Sequence, residues 1–288
     1  MNLQLLISGL SMGVIYGLIA MGMVLIFRAV GIMNFAQGEF LMFGGYLTYA
    51  FNRLLGIPIG ISLLLGSIGM GVVGVIFMRT SYWSLRNAQT RAIVVSAMGA
   101  SIVFKESARL IWGSIPLSVD KVAEGTSNLG SAVVQWQHFA IILVSLGIMA
   151  LIFLLLERTF IGNIMQATAQ DQYMASLVGI PVIFSIGLTF ALSAAITGIC
   201  GGLLAPVFLL SNTMGVASGA KAFAAIIIGG FGSVQGAVLG GLIVGLVEAF
   251  GGAYISTTYQ LVIIYIVLVI VLMFKPQGIF GEKIQEKA

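Results

Sequence analysis

Polar side chains at spacings that could do chemistry are few in this chain, and the first group lies at 31–40. Asn34, Gln37 and Glu39 fall there, where one apolar run ends and the next begins. Asn34 with Gln37 three residues on has the spacing of a helix N-cap and its capping-box partner. Glu39 then occupies the first helical turn, where the helix dipole favours a carboxylate. Local helix chemistry thus accounts for much of the pattern. A carboxylate this close to hydrocarbon is nevertheless costly, roughly 2.5–3.5 kcal/mol at a helix centre. Glu39 is therefore also a candidate for a translocation path or an interhelical contact.

The second group is the polar interlude 158–180 between two long apolar spans. Its length suits a short helix lying along a membrane surface. Asn163 is placed to cap the start of that helix, Gly179 to end it, and Pro181 to open the next span. Ile164, Ala167, Ala175 and Leu177 would present one apolar face to a partner. Gly162 is either a contact point or a turn in the backbone. The third group, 274–281, reads as a helix stop followed by an interface turn.

Other chemistries lack their parts. Cys200 is the only cysteine and His138 the only histidine, so neither an intrachain disulfide nor a Cys/His metal cluster is expected. His138, beside Gln135, Trp136 and Gln137, reads as an interfacial residue. No G-x-x-x-x-G-K-[ST] loop occurs, so the chain is expected to cradle no nucleotide phosphates and to use no cofactor. No catalytic residue and no metal ligand is assigned. The net charge of +4 is small and scattered, which gives no reason to expect nucleic-acid binding.

The elements that must position these residues are membrane helices. Hydrophobic residues make up 59% of the chain and charged residues 8%, against about 25% charged in soluble domains. Most of the surface must therefore face lipid. The first apolar run, from about Leu3 to Phe27, is long enough to span. Further spans are expected near 36–51, 60–78, 92–112, 138–156, 181–210, 222–250 and 258–274. With no charge before the first span and Arg28 directly after it, the positive-inside rule puts the N-terminus outside the cytoplasm. Arg79, Arg86 and Arg91 then mark a cytoplasmic loop, the polar stretch 113–137 an external one, and the segment after Arg158 a cytoplasmic one. Alternation over eight spans would leave the C-terminus outside, yet Lys275, Lys283 and Lys287 favour the cytoplasm. The glycine-rich interruption at 229–233 leaves that parity open, because 222–250 reads also as a short re-entrant piece followed by a span, or as something less regular. The expected fold is an all-α polytopic transmembrane helical bundle of about eight membrane segments, forming one domain over 1–288.

Small residues recur at helical spacing: Gly9, Gly13 and Gly17; Ser193, Thr197, Gly201 and Ala205; Gly236 and Gly240; Gly241 and Gly245. Each set makes a smooth stripe on one helix face, the pattern of close helix packing in membranes. Glycine-broken spans in both halves are what discontinuous transporter helices would show.

The stretches 11–21 (SMGVIYGLIAM), 32–39, 158–180, 219–241 (GAKAFAAIIIGGFGSVQGAVLGG) and 275–281 run in one order along nearly the whole chain. In that order the chain resembles the LivH-type permease of branched-chain amino acid ABC importers. The resemblance implies a cytoplasmic coupling helix within 163–178 that docks on an ATPase subunit. Arg158, Gly162, Ala167, Asp171 and Gly179 are the coupling candidates. Asn34, Gln37, Glu39, Lys221 and Glu248 are the candidates for the path or gate. It also implies a second, LivM-type permease subunit, two cytoplasmic ATP-binding subunits and an extracytoplasmic substrate-binding protein. Substrates other than branched-chain amino acids, such as urea or short amides, fit the same family. An autonomous small-solute channel is the competing class: Asn34-Phe35-Ala36 resembles the Asn-Pro-Ala turn of aquaporin-like channels but lacks its proline. A secondary transporter would draw on Glu248 or Lys105–Glu106, and an intramembrane protease on Asp120 and Asp171, which both fall in loops. Phe40, Phe43 and Tyr46 are expected to face lipid rather than to line an apolar path.

Overall fold

A computed structural model describes residues 2–129 and 132–281. Lys283 and Lys287, which bear on the expected side of the C-terminus, lie outside the described residues. Helices dominate: α1 (Asn2–Val30), α2 (Gln37–Tyr49), α3 (Ile59–Phe77), α4 (Thr90–Trp112), α5 (Trp136–Arg158), α6 (Phe160–Gln170), α7 (Gln172–Leu177), α8 (Val182–Phe208), α9 (Met214–Gly229), α10 (Val234–Tyr254) and α11 (Gln260–Phe274). Wider π-helical turns extend α2 through Ala50–Leu54 and α3 through Met78–Tyr82. Among the described residues, five helices are long and apolar enough to cross a membrane: Asn2–Val30, Ile59–Leu85, Trp136–Arg158, Val182–Phe208 and Val234–Tyr254. The loop between α4 and α5 carries one feature outside the all-α expectation, an antiparallel hairpin of β1 (Thr126–Leu129) and β2 (Ala132–Gln135).

The two ends of the bundle are defined by contacts. At one end, Phe27 packs on Phe231, Gln172 Nε2 donates to the Ala29 carbonyl, and the amides of Ile279 and Phe280 donate to the carbonyls of Ile228 and Gly229. Arg28 and Arg158 belong to this end. At the other, the Tyr254 hydroxyl meets Asn2, and Arg53 pairs with Asp120 at 2.7 Å. The stretch 222–250, which the sequence left open, belongs to two antiparallel helices, α9 and α10, joined by a turn at 230–233. Gly230 and Gly232 take the left-handed backbone there, at φ +113° and +82°. The extra reversal brings residues 275–281 back to the Arg28 end. Nine helices, rather than eight, therefore run along the bundle among the described residues.

The glycine stripes are helix crossings. Gly9, Gly13 and Gly17 of α1 face Ala249, Leu242 and Val238 of α10, while Gly241 and Gly245 return the contact. One residue round the same helix, Gly236 and Gly240 face Gly229 and Ala225 of α9. Two stripes offset by a single position thus let α10 touch a helix on each side, with backbones closer than any larger side chain allows. The α2–α8 crossing is equally close: side-chain carbon at Gly44 or Gly201 would collide with the facing backbone at Gly198 or Leu41. Phe40 and Tyr46 are buried, contrary to the lipid-facing expectation. Phe40 meets Phe77 and Phe104 edge-on, and Tyr46 stacks on Trp112.

Candidate functional site

Two helices begin inside the bundle. Gln37, at the start of α2, packs against Gly22 of α1 and reaches Ser193 and Thr197 of α8. Gly22 lies eight residues, about 12 Å of helix rise, before the end of α1. Ser193 and Thr197 lie near the middle of α8. The start of α9 is at the same level, because Gly38 packs directly on Gly215 and Gly219. Between Phe208 and Met214 the chain therefore descends without helix from Leu210, beside Gly45, to Gly215, beside Gly38. Irregular backbone at membrane depth survives only where protein covers it or water reaches it.

Asn34 does not cap α2 as expected. The residue before the helix is Ala36, which offers no side-chain cap. Asn34 is buried one turn earlier, its Oδ1 accepting from the Ala36 amide at 3.0 Å and its Nδ2 donating to Gln37 Oε1 at 3.1 Å. Gln37 does not close a capping box either. Its Nε2 donates to Ser193 Oγ at 2.9 Å and Thr197 Oγ1 at 2.6 Å, and Ser193 Oγ donates to the Gly22 carbonyl at 2.8 Å. A polar seam thus joins α1, α2 and α8 within the apolar interior. Tertiary partners outcompeted the local cap because a buried amide left unmade costs more than a cap contributes.

Glu39 is 3% exposed, and its Oε2 is buried with no hydrogen-bond partner. A carbon added at Gly215 would lie 2.6 Å from that oxygen, so the carboxylate sits against the first turn of α9. Lys221 and Glu248, 27 residues apart on α9 and α10, form an ion pair at 2.5 Å. Lys221 Nζ also donates to the Tyr16 hydroxyl of α1 at 3.2 Å and lies 5.4 Å from that ring's centre. Tyr16 was not among the sequence candidates. Only its place in the apolar α1 run pointed to it, since a phenol there needs a polar partner. Asn34, Gln37 and Glu39 come together with α8 and α9, whereas Lys221 and Glu248 form a separate cluster.

The 158–180 segment is a surface elbow of two helices rather than one. Thr159, not Asn163, caps α6, its hydroxyl accepting from the Gly162 amide at 3.0 Å. Asp171 caps α7, its Oδ1 accepting from Tyr173 and Met174 at 2.8 and 3.0 Å. Gly179, at φ +85°, ends the elbow as expected. Gly162 packs against the Leu155 and Leu156 carbonyls, which places it at the turn between α5 and α6. The expected apolar face is also different. Ala175 points inward and Ala167 is half-buried, while Tyr173, Met174, Leu177 and Val178 are exposed together. Arg158 ends α5 beside Glu157, which with Arg28, Gln166, Gln170, Thr189, Ser233 and others lines a cavity of about 600 Å³ at this end.

His138 is half-buried in the first turn of α5, its Nδ1 2.8 Å from the Ser11 hydroxyl of α1. That contact makes it a helix-joining residue rather than a purely interfacial one.

A polytopic helical bundle with broken helices meeting in its interior and a helical elbow at one end has the architecture of a membrane permease. Residues 5–272 match the family described as the branched-chain amino acid transport system / permease component, and the chain belongs to that family. It is 34% identical to the high-affinity branched-chain amino acid transport system permease protein LivH of Escherichia coli, over 99% of this chain and 97% of that one. It is 31% identical, over the same shares, to the corresponding protein BraD of Pseudomonas aeruginosa. It is also similar to a chain of the solved PsaBC complex of Streptococcus pneumoniae, at 14% identity and TM-score 0.49, over 95% of this chain and 92% of that one.

Proposed function

We propose that this chain is one membrane-spanning subunit of an ATP-driven importer for branched-chain or related hydrophobic amino acids in a bacterial cytoplasmic membrane. Its whole length forms one permease domain, with the Arg28 end in the cytoplasm. The arginines at 28, 79, 86, 91 and 158 support that orientation. Hydrolysis belongs to two cytoplasmic ATP-binding subunits, since this chain has no phosphate-binding loop of its own. A second, related permease completes the path, and an extracytoplasmic binding protein delivers the substrate.

The observation that carries the ATP-coupled reading is the elbow of α6 and α7. A connection that merely joined two spans needs only a few residues. Here two capped helices stand at the arginine end with Tyr173, Met174, Leu177 and Val178 exposed at the tip. An apolar tip on a rigid elbow suits a groove in a motor subunit. ATP-driven movement of that groove would swing the elbow and, through α5 and α8, open one side of the path or the other. Arg158, Ala167 and Asp171 support and orient the tip on this reading, with Gly162 and Gly179 as its turns.

Leu177→Glu tests it. Leu177 is 64% exposed, so the substitution is expected to leave insertion and folding intact. Loss of an apolar anchor in a groove should lower ATP-dependent leucine uptake by about tenfold or more and weaken copurification of the ATP-binding subunits. Normal uptake with a normal pull-down would remove the elbow from the coupling role. Uptake by the chain alone, without ATP, would favour a channel.

A further inference from the structure

We propose that Glu39 is the recognition point for the ammonium group of the transported amino acid, at a subsite formed where α2 and α9 begin inside the membrane. The proposal rests on the amino-acid importer reading and deepens it.

Three observations converge on this place. The first is the carboxylate itself. Glu39 is 3% exposed, its Oε2 has no partner, and no ion pair among the described residues includes it. A buried carboxylate without a donor is among the costliest groups a membrane interior can hold. Glu248 shows the chain's own remedy for such a group, a lysine on the neighbouring helix. Glu39 has no cation in contact: Lys105 of α4 acts on it only through space, and no ion pair among the described residues joins the two, so the contact position at Oε2 is open to a cation from outside the chain.

The second is the geometry of α9. This helix starts beside Glu39, with Gly215 against the carboxylate and with no side chain capping its first turn, since Thr213 makes no cap bond. A helix start of this kind attracts a carboxylate. An amino acid carries an ammonium and a carboxylate on one carbon, so it satisfies the acid and the helix start together. A bare metal cation satisfies only the first, and a neutral amide or urea has no full charge for either.

The third is access. Thr213, Val216 and Ala217 are exposed beside the site, on non-helical chain and on the first turn of α9. Polar backbone at this depth cannot face lipid, so this side must meet water or the second permease. A substrate passing between the two permeases would reach Glu39 from there. Gly38, Gly215 and Gly219 keep the two helix starts in backbone contact, with the Glu39 carboxylate against Gly215.

The test uses the assembled importer in proteoliposomes, with leucine as probe. The measured quantity is leucine moved per ATP hydrolysed. Glu39→Gln is expected to lower that ratio by about tenfold or more, because a charge-assisted hydrogen bond to the delivered substrate is lost. Glu39→Asp is expected to fall between the two. A purely structural role would lower uptake and hydrolysis in proportion and leave the ratio unchanged, which would overturn the proposal. So would wild-type uptake by Glu39→Gln. Absence of leucine uptake by the wild-type complex would overturn the amino-acid reading itself, and this inference with it. Should Glu39→Gln fail to insert, the wild-type complex decides the matter by labelling with a hydrophobic carbodiimide, read by mass spectrometry. Leucine in excess should slow modification of Glu39 but not of Glu248, and 4-methylpentanoate, which lacks the ammonium group, should not. Equal protection by both compounds, or by neither, would overturn the proposal.

Discussion

Two carboxylates lie buried among these helices, and their surroundings differ in kind. Glu248 of α10 meets Lys221 of α9 at 2.5 Å, and Lys221 in turn meets the Tyr16 hydroxyl of α1. Glu39 of α2 is buried to a similar degree, and Oε2 of each carboxylate lacks a hydrogen-bond partner, but among the described residues no ion pair includes Glu39. The first arrangement neutralises charge within the chain and ties three helices together, so it behaves as a strut. The second leaves a carboxylate without an ion-pair partner, held by the dipoles of two helix starts and the more distant charge of Lys105, which suits a group that is filled transiently. Real proteins depart from local satisfaction chiefly where function requires it.

That contrast is open to direct attack, and the largest effect should come from the strut. Lys221→Met leaves the Glu248 carboxylate buried and unpaired, which should cost about 3–5 kcal/mol. Thermal unfolding in detergent checks this, and adding Glu248→Leu should recover most of the loss, since a buried pair replaced by apolar residues is often neutral. A tolerated single substitution would mean that the pair is not a strut. Tyr16→Phe removes only the hydroxyl that meets Lys221 and keeps the ring, so the same assay should show about 0.5–1.5 kcal/mol. Glu39→Gln should show the smallest change, within about 0.5 kcal/mol of wild type or slightly stabilising, because no native partner is lost. A fall comparable with that of Lys221→Met would reveal a partner for Glu39 in the resting protein and erase the contrast.

Part of this site was legible in the sequence. Glu39 stood out because a carboxylate beside an apolar run is expensive wherever the run folds. The glycine stripes were legible for the same reason: spacing of three or four residues marks one helix face before its partner is known. The partners were not legible. Gln37 at three residues from Asn34 matches a capping box, and only the arrival of Ser193 and Thr197, more than 150 residues away, drew its amide elsewhere. The elbow failed in a similar way. Thr159 and Asp171 compete with Asn163 as caps on equal chemical terms, and the choice among them followed from where α5 stops and how tightly Gly162 can fold back on it.

What the chain determined by itself was its solvent and its helices: 8% charged residues cannot cover a water-facing surface, and long apolar runs can satisfy their backbone in lipid only as helices. Tertiary structure alone decided that 222–250 reverses at 230–233, which returns residues 275–281 to the Arg28 end. It also decided that Lys221 pairs with Glu248 while, among the described residues, Glu39 forms no ion pair. Hydropathy records how apolar a stretch is and not which direction it runs, and a charge's partner is set by the helix that packs beside it. Both depend on contacts between residues far apart in the chain, and no local pattern encodes those.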